Sequence, residues 1–321
     1  MKTPTDFDVF RTLSAQLGQN RLRVQGPGGN TSLKDGSVMW IKASGTELAQ
    51  AEEADIFLAV DRAAALAEAH GKSGDGSCKA TVLDPSCTLR PSIETTFHAA
   101  LDWPVVAHTH SIATLAHAVS PEGLDAARDK LSGLPCVCVP YAKPGLPLTR
   151  EILARIDPRT QVIILANHGL VVCGADVQAT SDLMEDVEAR LALPAHDTAH
   201  KPDSTPPTGF DWADESWIAR DATALRLVTG GSYYPDHVVF LGPALPRSDH
   251  AGNPPAIVIE GEGVALRDGA TPSQKAMLRC LSDLMARLPD DWTPQPIGTA
   301  AEAELLNWDA EKYRQALAAR A

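Results

Sequence analysis

Apolar residues along the first 193 positions recur at spacings that alternate between those of helices and those of strands. A period of three to four residues indicates an amphipathic helix, and short apolar runs between turn-forming residues indicate buried strands. The predicted helices cover residues 6–17, 61–70, 112–119, 149–156 and 175–193. The predicted strands are two in GPGGNTSLKDGSVMWIK and those at 54–60, 104–107, 135–141, 161–166 and 170–173. Because strands and helices do not alternate strictly, the pattern favours an α+β or a three-layer α/β/α domain over a doubly wound sheet.

A polar, proline-rich stretch follows this region. Residues 194–209 have no apolar period, which is typical of a linker or an exposed connection. We therefore predict a domain over residues 1–195, a linker over 196–210 and a smaller C-terminal α/β domain over 211–321. In the last of these, the expected helices cover 212–228, 273–288 and 309–319, and the expected strands are HVVFL, PAIVIE and GVALR.

Composition and charge limit what such a chain can do. With 28 basic and 41 acidic residues the formal net charge is −13, and no Lys/Arg cluster stands out, so a nucleic-acid partner is not expected. No apolar run is long enough to span a bilayer and the start, MKTPTDFDVF, has no signal-peptide core, so no membrane association is expected. The six cysteines include no CxxC pair, and we interpret them as reduced thiols of a cytoplasmic protein.

Three histidines follow apolar strands. His108 and His110 end the strand PVVA, and side chains two apart on a strand project from the same face. This pair alone is weak evidence, because surface and core histidines also occur together by chance. His168 follows the strand VIILAN and precedes a glycine, where a turn lets the ring point outward. Three histidines at strand ends match the site of a catalytic divalent metal, which keeps positions open for water or substrate.

Glu94 is the carboxylate expected to act with these histidines. Ser92 is expected to cap a helix that begins around Ile93, which puts Glu94 in the positively polarised first turn. Glu94 stands fourteen residues before His108. A carboxylate in that position is equally typical of simple compensation of the helix dipole. His98, on the same helical face, and His117 are interpreted as hydrogen-bonded structural histidines.

Two glycine-containing turns lie near the predicted strands. The first, GGNT at residues 28–31, precedes a strand and not a helix, so it is not a dinucleotide-binding fingerprint. The second is SGT at residues 44–46. Both turns can present backbone N–H groups to an anion, and both are also compatible with an ordinary tight turn.

Four stretches together resemble the class II aldolase/adducin family: GPGGNTS, KASGT, PSIETTFH with HTHS, and ILANHGL. The likeness covers residues 5–193 and implies a three-layer α/β/α domain. It implies a divalent ion, Zn²⁺ or alternatively Mn²⁺, Co²⁺ or Fe²⁺, on His108, His110 and His168, with Glu94 as a further ligand or as the acid–base. The resemblance also implies that four residues line the pocket for the phosphate or polar head of a small sugar-derived substrate: Asn30, Ser44, Gly45 and Ser92. Family enzymes are commonly homotetramers, so a homo-oligomer is expected.

Within that family the chain is most similar to the aldolase part of bifunctional rhamnulose-phosphate aldolase/dehydrogenase proteins. The segments YPDHVVF, IEGEGVAL and NWDAEKYR resemble the region that follows the aldolase fold there. This chain has no GxGxxG motif, and no nicotinamide chemistry is predicted. Phosphate-binding members usually carry two serines before the glutamate, whereas Ile93 follows Ser92 here. Residues 121–133 lack the tyrosine that some sugar aldolases contribute from a neighbouring subunit, and neither Tyr141 nor Tyr234 matches it by position.

The resemblance implies a lyase that cleaves a ketose or ketose phosphate by a retro-aldol reaction with a metal-stabilised enediolate. A related epimerase, dehydratase or oxo-acid decarboxylase would use the same site, because each of these reactions also stabilises an enolate. A non-catalytic adducin-like module is a third alternative. Loss of the histidines would indicate such a module, and all three are present.

Overall fold

A seven-stranded mixed sheet forms the centre of the computed structural model, which describes residues 3–247 and 252–320. The strand order is β3-β2-β1-β4-β7-β6-β5, and every neighbouring pair is antiparallel except β5 and β6. The strands are β1 (Asn30–Asp35), β2 (Val38–Lys42), β3 (Phe57–Asp61), β4 (Val105–Thr109), β5 (Cys136–Val139), β6 (Val162–Leu165) and β7 (Gly169–Gly174).

Helices cover both faces of this sheet. They are α1 (Phe7–Gln19), α2 (Arg62–Ala69), α3 (Thr95–Ala100), α4 (Ile112–Ala118), α5 (Pro121–Lys130), α6 (Leu146–Leu153) and α7 (Val177–Leu191). Val105 and Ala107 of β4 pack with α1, α4 and α7, whereas Val106 between them packs with α3 and α6. Successive strand residues thus enter different cores, and the predicted three-layer α/β/α arrangement is confirmed.

The apolar pattern did not predict α5. Only Gly123 and Ala127 of this helix are buried, so it has almost no apolar face. Its start is encoded locally instead, because the Ser120 hydroxyl accepts the N–H of Gly123 and Pro121 occupies the first helical position.

A smaller C-terminal region contains a three-stranded antiparallel sheet in the order β8-β10-β9. Its strands are β8 (Phe210–Trp212), β9 (Ala256–Ile259) and β10 (Gly263–Arg267). Its helices are α8 (Ala222–Gly230), α9 (Pro235–Leu241), α10 (Pro272–Met285), α11 (Thr299–Leu306) and α12 (Asp309–Ala318). The sequence pattern did not predict α11.

Two predictions for this region were wrong. The run HVVFL was expected to be a strand but lies in α9, where all seven residues are buried. A run that is apolar on every side carries no period, and the decisive signals were Pro235 at the helix start and Gly242 just after its end. Residues 212–228 were expected to form one helix. They are divided into the end of β8, a 3₁₀ turn over Asp214–Ala219 and α8, whose first turn is capped by Asp221.

The C-terminal region shares a core with the large domain. Ile112, Leu115 and Val119 at α4 pack into one cluster with residues of α8, α9 and α10. The division into domains at residues 196–210 stays a prediction, and the structure shows neither helix nor strand from 192 to 209.

All six cysteines are free thiols. Within residues 3–247 and 252–320, no helix combines the length and the apolar character needed to cross a bilayer.

The shared core predicts that a cavity in the C-terminal region lowers the stability of the whole chain. Leu281 of α10 is fully buried in this cluster, so Leu281→Ala should lower the free energy of unfolding by about 2–5 kcal/mol. Urea denaturation followed by circular dichroism measures this loss. The volume-conserving control Leu281→Met should cost less than about 1.5 kcal/mol. Two separate transitions, with only one shifted by the alanine variant, would contradict the shared core.

Candidate metal centre and pocket

Strand pairing brings the three histidines together. Asn30 of β1 pairs with His108 of β4, and Thr109 pairs with Leu170 of β7 on the other side. His110 follows β4, and His168 lies in the turn between β6 and β7. One nitrogen from each of the three rings lies within 4.8 Å of the other two, and all three residues are buried. The residues that the sequence singled out for a metal therefore converge in the structure.

Burial keeps His108 and His168 neutral. Desolvation lowers the pKa of His108, and it lowers the pKa of His168 to about 3, although the Glu94 carboxylate acts in the opposite direction on both. The Nδ1 of His108 donates to the carbonyl of Leu170 at 2.9 Å, which leaves the Nε2 lone pair facing the site. Neutral imidazoles oriented in this way are ligands for a cation.

The side chain of Glu94 faces the histidines and forms no capping hydrogen bond to its helix. The helix α3 begins at Thr95, two residues later than predicted, and Glu94 is the N-cap residue without a side-chain capping bond. The Ser92 hydroxyl accepts the N–H of Glu94 at 3.2 Å instead. The Glu94 carboxylate oxygens lie 3.4 Å from Nε2 of His108 and 3.4 Å from Nε2 of His168. The carboxylate therefore interacts mainly with the histidines and not with the helix dipole.

One hydrogen bond, from Asn30, holds the Glu94 carboxylate in place. Burial raises the pKa of Glu94, whereas positive charge at the positions of His108 and His168 and the amide of Asn30 lower it, and with these the pKa lies below the ordinary value. The Asn30 Nδ2 donates to Glu94 Oε2 at 2.8 Å. The Asn30 Oδ1 accepts from His98, whose other ring nitrogen bonds to the Ser32 hydroxyl at 2.8 Å. The structural interpretation of His98 is thus confirmed, because it orients the amide that holds Glu94.

The residues present fit a divalent metal. Oε1 of Glu94 and Nε2 of His108 are buried and have no hydrogen-bond partner among the described residues. Such groups cost about 1–3 kcal/mol each when left unsatisfied. Three imidazoles and one carboxylate are donors that Zn²⁺ and related ions accept in catalytic sites.

A single cavity joins this centre to the predicted substrate residues. Its lining includes all four residues named for the substrate, Asn30, Ser44, Gly45 and Ser92, together with Glu94, His110 and His168. The glycine turns serve partly for close packing. A side chain at Gly28 would lie 2.8 Å from the His110 ring, and one at Gly45 would collide with Leu317 of α12.

The C-terminal region supplies pocket residues that the sequence analysis did not identify. They are Asp236 of α9, and Glu311 and Arg314 of α12. Arg314 donates to both oxygens of Asp236, at 2.7 and 3.0 Å, and to Oε2 of Glu311 at 2.9 Å. Asp236 in turn lies 3.4 Å from the Nδ1 of His110. These residues lie in the segments YPDHVVF and NWDAEKYR, whose resemblance to family sequences was noted above but for which no role was predicted.

Lys42 also lines the cavity. Its ammonium donates to the carbonyls of Pro27 at 3.0 Å and Thr46 at 2.6 Å. Burial lowers the pKa of Lys42 to about 7. Neither Tyr141 nor Tyr234 is among the described residues that line this cavity.

Comparison with known proteins agrees with the fold. The sequence model of the Class II Aldolase and Adducin N-terminal domain matches residues 11–193. The chain belongs to the class II aldolase and adducin family. A solved structure of the N-terminal class II aldolase domain of a conserved Thermoplasma acidophilum protein is 28% identical with a TM-score of 0.51, over 60% of this chain and 94% of that one.

Two curated relatives match shorter portions. An uncharacterized oxidoreductase of Bacillus subtilis, YuxG, is 29% identical over 56% of this chain and 28% of its own length. A 3-oxo-tetronate 4-phosphate decarboxylase of Escherichia coli K12 is 35% identical over 32% of this chain and 55% of its own length. The matched segments therefore span about a quarter to a half of these relatives, and they do not carry a whole protein's activity over to this chain.

If the three histidines form one metal centre, His168→Ala should abolish stoichiometric metal binding. Loss of a ligand should weaken the Zn²⁺ affinity by more than the ten- to hundredfold that loss of a supporting residue costs. Elemental analysis of dialysed protein and a competition titration with a chelator measure this. The control is His70→Ala, which removes an exposed histidine. Equal zinc content in both variants would show that His168 is not a ligand.

Proposed function

We propose that this protein is a metal-dependent lyase that cleaves a ketose or ketose phosphate by a retro-aldol reaction. The observation that supports this most is the convergence of three buried histidines and a charged carboxylate at one end of a cavity. A retro-aldol reaction needs an electron acceptor at the substrate carbonyl and a group that moves a proton at carbon. The centre offers residues for both requirements.

His108, His110 and His168 would hold a divalent ion, Zn²⁺ in the first place and Mn²⁺, Co²⁺ or Fe²⁺ as alternatives. When bound, such an ion supplies Lewis-acid polarisation of a substrate carbonyl, worth several kcal/mol of charge stabilisation. Because the imidazoles are neutral, they do not reduce the positive charge that the substrate experiences.

Glu94 would be a further ligand or the acid–base that moves the proton at the carbon next to the carbonyl. Asn30 donates to Oε2 of its carboxylate, and Oε1 has no hydrogen-bond partner in the described part of the chain, so one oxygen is available to a proton. Proton transfer by a positioned side chain contributes about 10²–10⁴-fold to a rate.

Asn30, Ser44, Gly45 and Ser92 would bind the phosphate or polar head of the substrate. The Ser92 hydroxyl accepts the N–H of Glu94 through its oxygen, which leaves the hydroxyl hydrogen free to donate. Ile93 takes the place of a second serine, so this wall offers one hydroxyl donor fewer than phosphate-binding relatives usually have.

We further infer a cytoplasmic homo-oligomer, a tetramer by resemblance to the family. The six free thiols support a reducing compartment. Light scattering coupled to size exclusion measures the mass of the assembly.

The variant Glu94→Gln tests the acid–base role. We expect it to keep most of its metal, because the three histidines remain, and to lose at least about a hundredfold in turnover. Metal content and kcat are measured on the same preparation. The control Glu53→Gln removes an exposed carboxylate in a surface turn and should have little effect on either quantity. Unchanged turnover of the Glu94 variant would rule out the acid–base role.

An oxo-acid decarboxylase is the second candidate. The observation in its favour is the 35% identity, over 118 residues, to the Escherichia coli 3-oxo-tetronate 4-phosphate decarboxylase. A screen of ketoses, ketose phosphates and 3-oxo acids with metal-loaded protein separates the two functions. We expect an aldehyde from a ketose or its phosphate. Carbon dioxide from an oxo acid without cleavage of any ketose would favour the decarboxylase. Inversion of one stereocentre of a sugar phosphate, with its carbon chain intact, would favour an epimerase.

A further inference from the structure

Retro-aldol cleavage requires a second proton transfer, and this inference rests on the proposed function. As the carbon–carbon bond breaks, the hydroxyl of one fragment becomes an aldehyde and must lose its proton. The carbon of the other fragment must gain one. Glu94 accounts for the proton at carbon, so a different group has to receive the hydroxyl proton.

Glu311 has the properties that this role needs. It is 1% exposed and lines the same cavity as Glu94. Its Oε2 accepts a hydrogen bond from Arg314 at 2.9 Å, whereas its Oε1 is buried without a hydrogen-bond partner in the described parts of the chain. A buried carboxylate oxygen with its lone pairs unused, on a residue that lines a cavity, is an acceptor for a ligand hydroxyl.

The helix α12 holds this carboxylate in a fixed position. Arg90 stacks over the ring of Tyr313 at 3.9 Å, and Lys143 lies over the ring of Trp308 at 4.7 Å. The buried ion pair between Arg314 and Asp236 adds a third attachment. These contacts fix the helix on several sides and thereby hold Glu311 in place.

Other polar groups near the pocket are less suited. The hydroxyl of Tyr234 donates to the carbonyl of Met277 at 3.5 Å and does not line the cavity. The Tyr141 hydroxyl has no hydrogen-bond partner among the described residues, but Tyr141 does not line the cavity either. The ammonium of Lys42 already has two carbonyl acceptors.

We propose that Glu311 is a second catalytic acid–base, whose Oε1 takes the proton of the substrate hydroxyl that becomes the aldehyde. In cleavage, the O–H electron pair forms the carbonyl and the carbon–carbon bond breaks. Its electron pair stays with the ketone fragment, and that carbon receives a proton from Glu94, whose carboxylate first takes one up from solvent. Glu311 returns the hydroxyl proton to solvent, so one proton is taken up and one is released, and the balance needs no oxidant or reductant.

The electrostatic surroundings agree with this role. Burial raises the pKa of Glu311, Arg314 lowers it, and Asp236 and Glu94 raise it, with a result above the ordinary value. A raised pKa makes the carboxylate a stronger base. Arg314 is a positioning residue, because its contacts are with the carboxylates and hold Glu311 through Oε2, which leaves Oε1 free.

The test separates the two proton transfers. Hydrogen–deuterium exchange at the hydroxymethyl carbon of dihydroxyacetone or its phosphate, followed by NMR in D₂O, requires the proton transfer at carbon only. Cleavage of the ketose or ketose phosphate that the wild type turns over fastest requires both transfers. We expect Glu311→Gln to lower cleavage at least about a hundredfold, and to keep metal content unchanged and exchange within about threefold of wild type. Glu94→Gln should lose both reactions.

The matched control is Glu304→Gln, an isosteric change at an exposed glutamate of α11, which should alter neither reaction. Cleavage unchanged in Glu311→Gln would overturn the proposal, and so would a parallel loss of cleavage and exchange. If the Gln variant unfolds, Glu311→Asp decides: it keeps a charge beside Arg314 but shortens the reach. Its cleavage must then fall at least tenfold with exchange intact, or the proposal is wrong. A wild-type protein that neither exchanges nor cleaves would instead refute the proposed function.

Discussion

The hydrogen-bonded register of β1, β4 and β7 is the constraint on which the site depends. It pairs Asn30 with His108 and sets the Leu170 carbonyl within reach of the His108 ring. Directly opposite residues in antiparallel strands lie about 4.5–5.5 Å apart, so the sheet brings together the ends of these strands, where the histidines lie. A slip of one residue would turn His108 to the other face of the sheet and remove the centre. The apolar cores on both faces of the sheet fix this strand register and therefore also the position of the histidines.

The ionic cluster of Asp236, Glu311 and Arg314 connects the C-terminal region to this centre. Buried charges lose their hydration, and the cost is offset only where the geometry is good and the hydrogen bonds are nearly complete. Arg314 meets Asp236 with two parallel hydrogen bonds, the strongest form of such a pair. Two carboxylates share one guanidinium, which leaves a surplus of negative charge and the unpaired Oε1 of Glu311. A purely structural ion pair would not need Glu311 to line the cavity.

How far the sequence predicts this molecule depends on how local each signal is. The histidines were identifiable because each follows a short apolar strand, and the two-residue period of a strand fixes where side chains point. The helix α9 was missed because a fully buried segment has no polar face from which a period can be read. Glu311 could not be found for a different reason. An acidic residue three positions before an arginine on a helix is ordinary on a protein surface, and only the tertiary contact with Asp236 shows that this pair is buried.

The family match and the pocket cover different parts of the chain. The family segment, residues 11–193, contains the three histidines, Glu94 and all four predicted substrate residues. Asp236, Glu311 and Arg314 all lie beyond it, yet they form one wall of the same cavity. Neutral imidazoles around a metal suit any reaction that stabilises an enolate, so the shared floor of the pocket does not distinguish cleavage from decarboxylation. Decarboxylation releases CO₂ and needs no base for a departing aldehyde, whereas aldol cleavage does. The residues that would distinguish aldol cleavage from decarboxylation are therefore expected in the cavity wall formed by Asp236, Glu311 and Arg314.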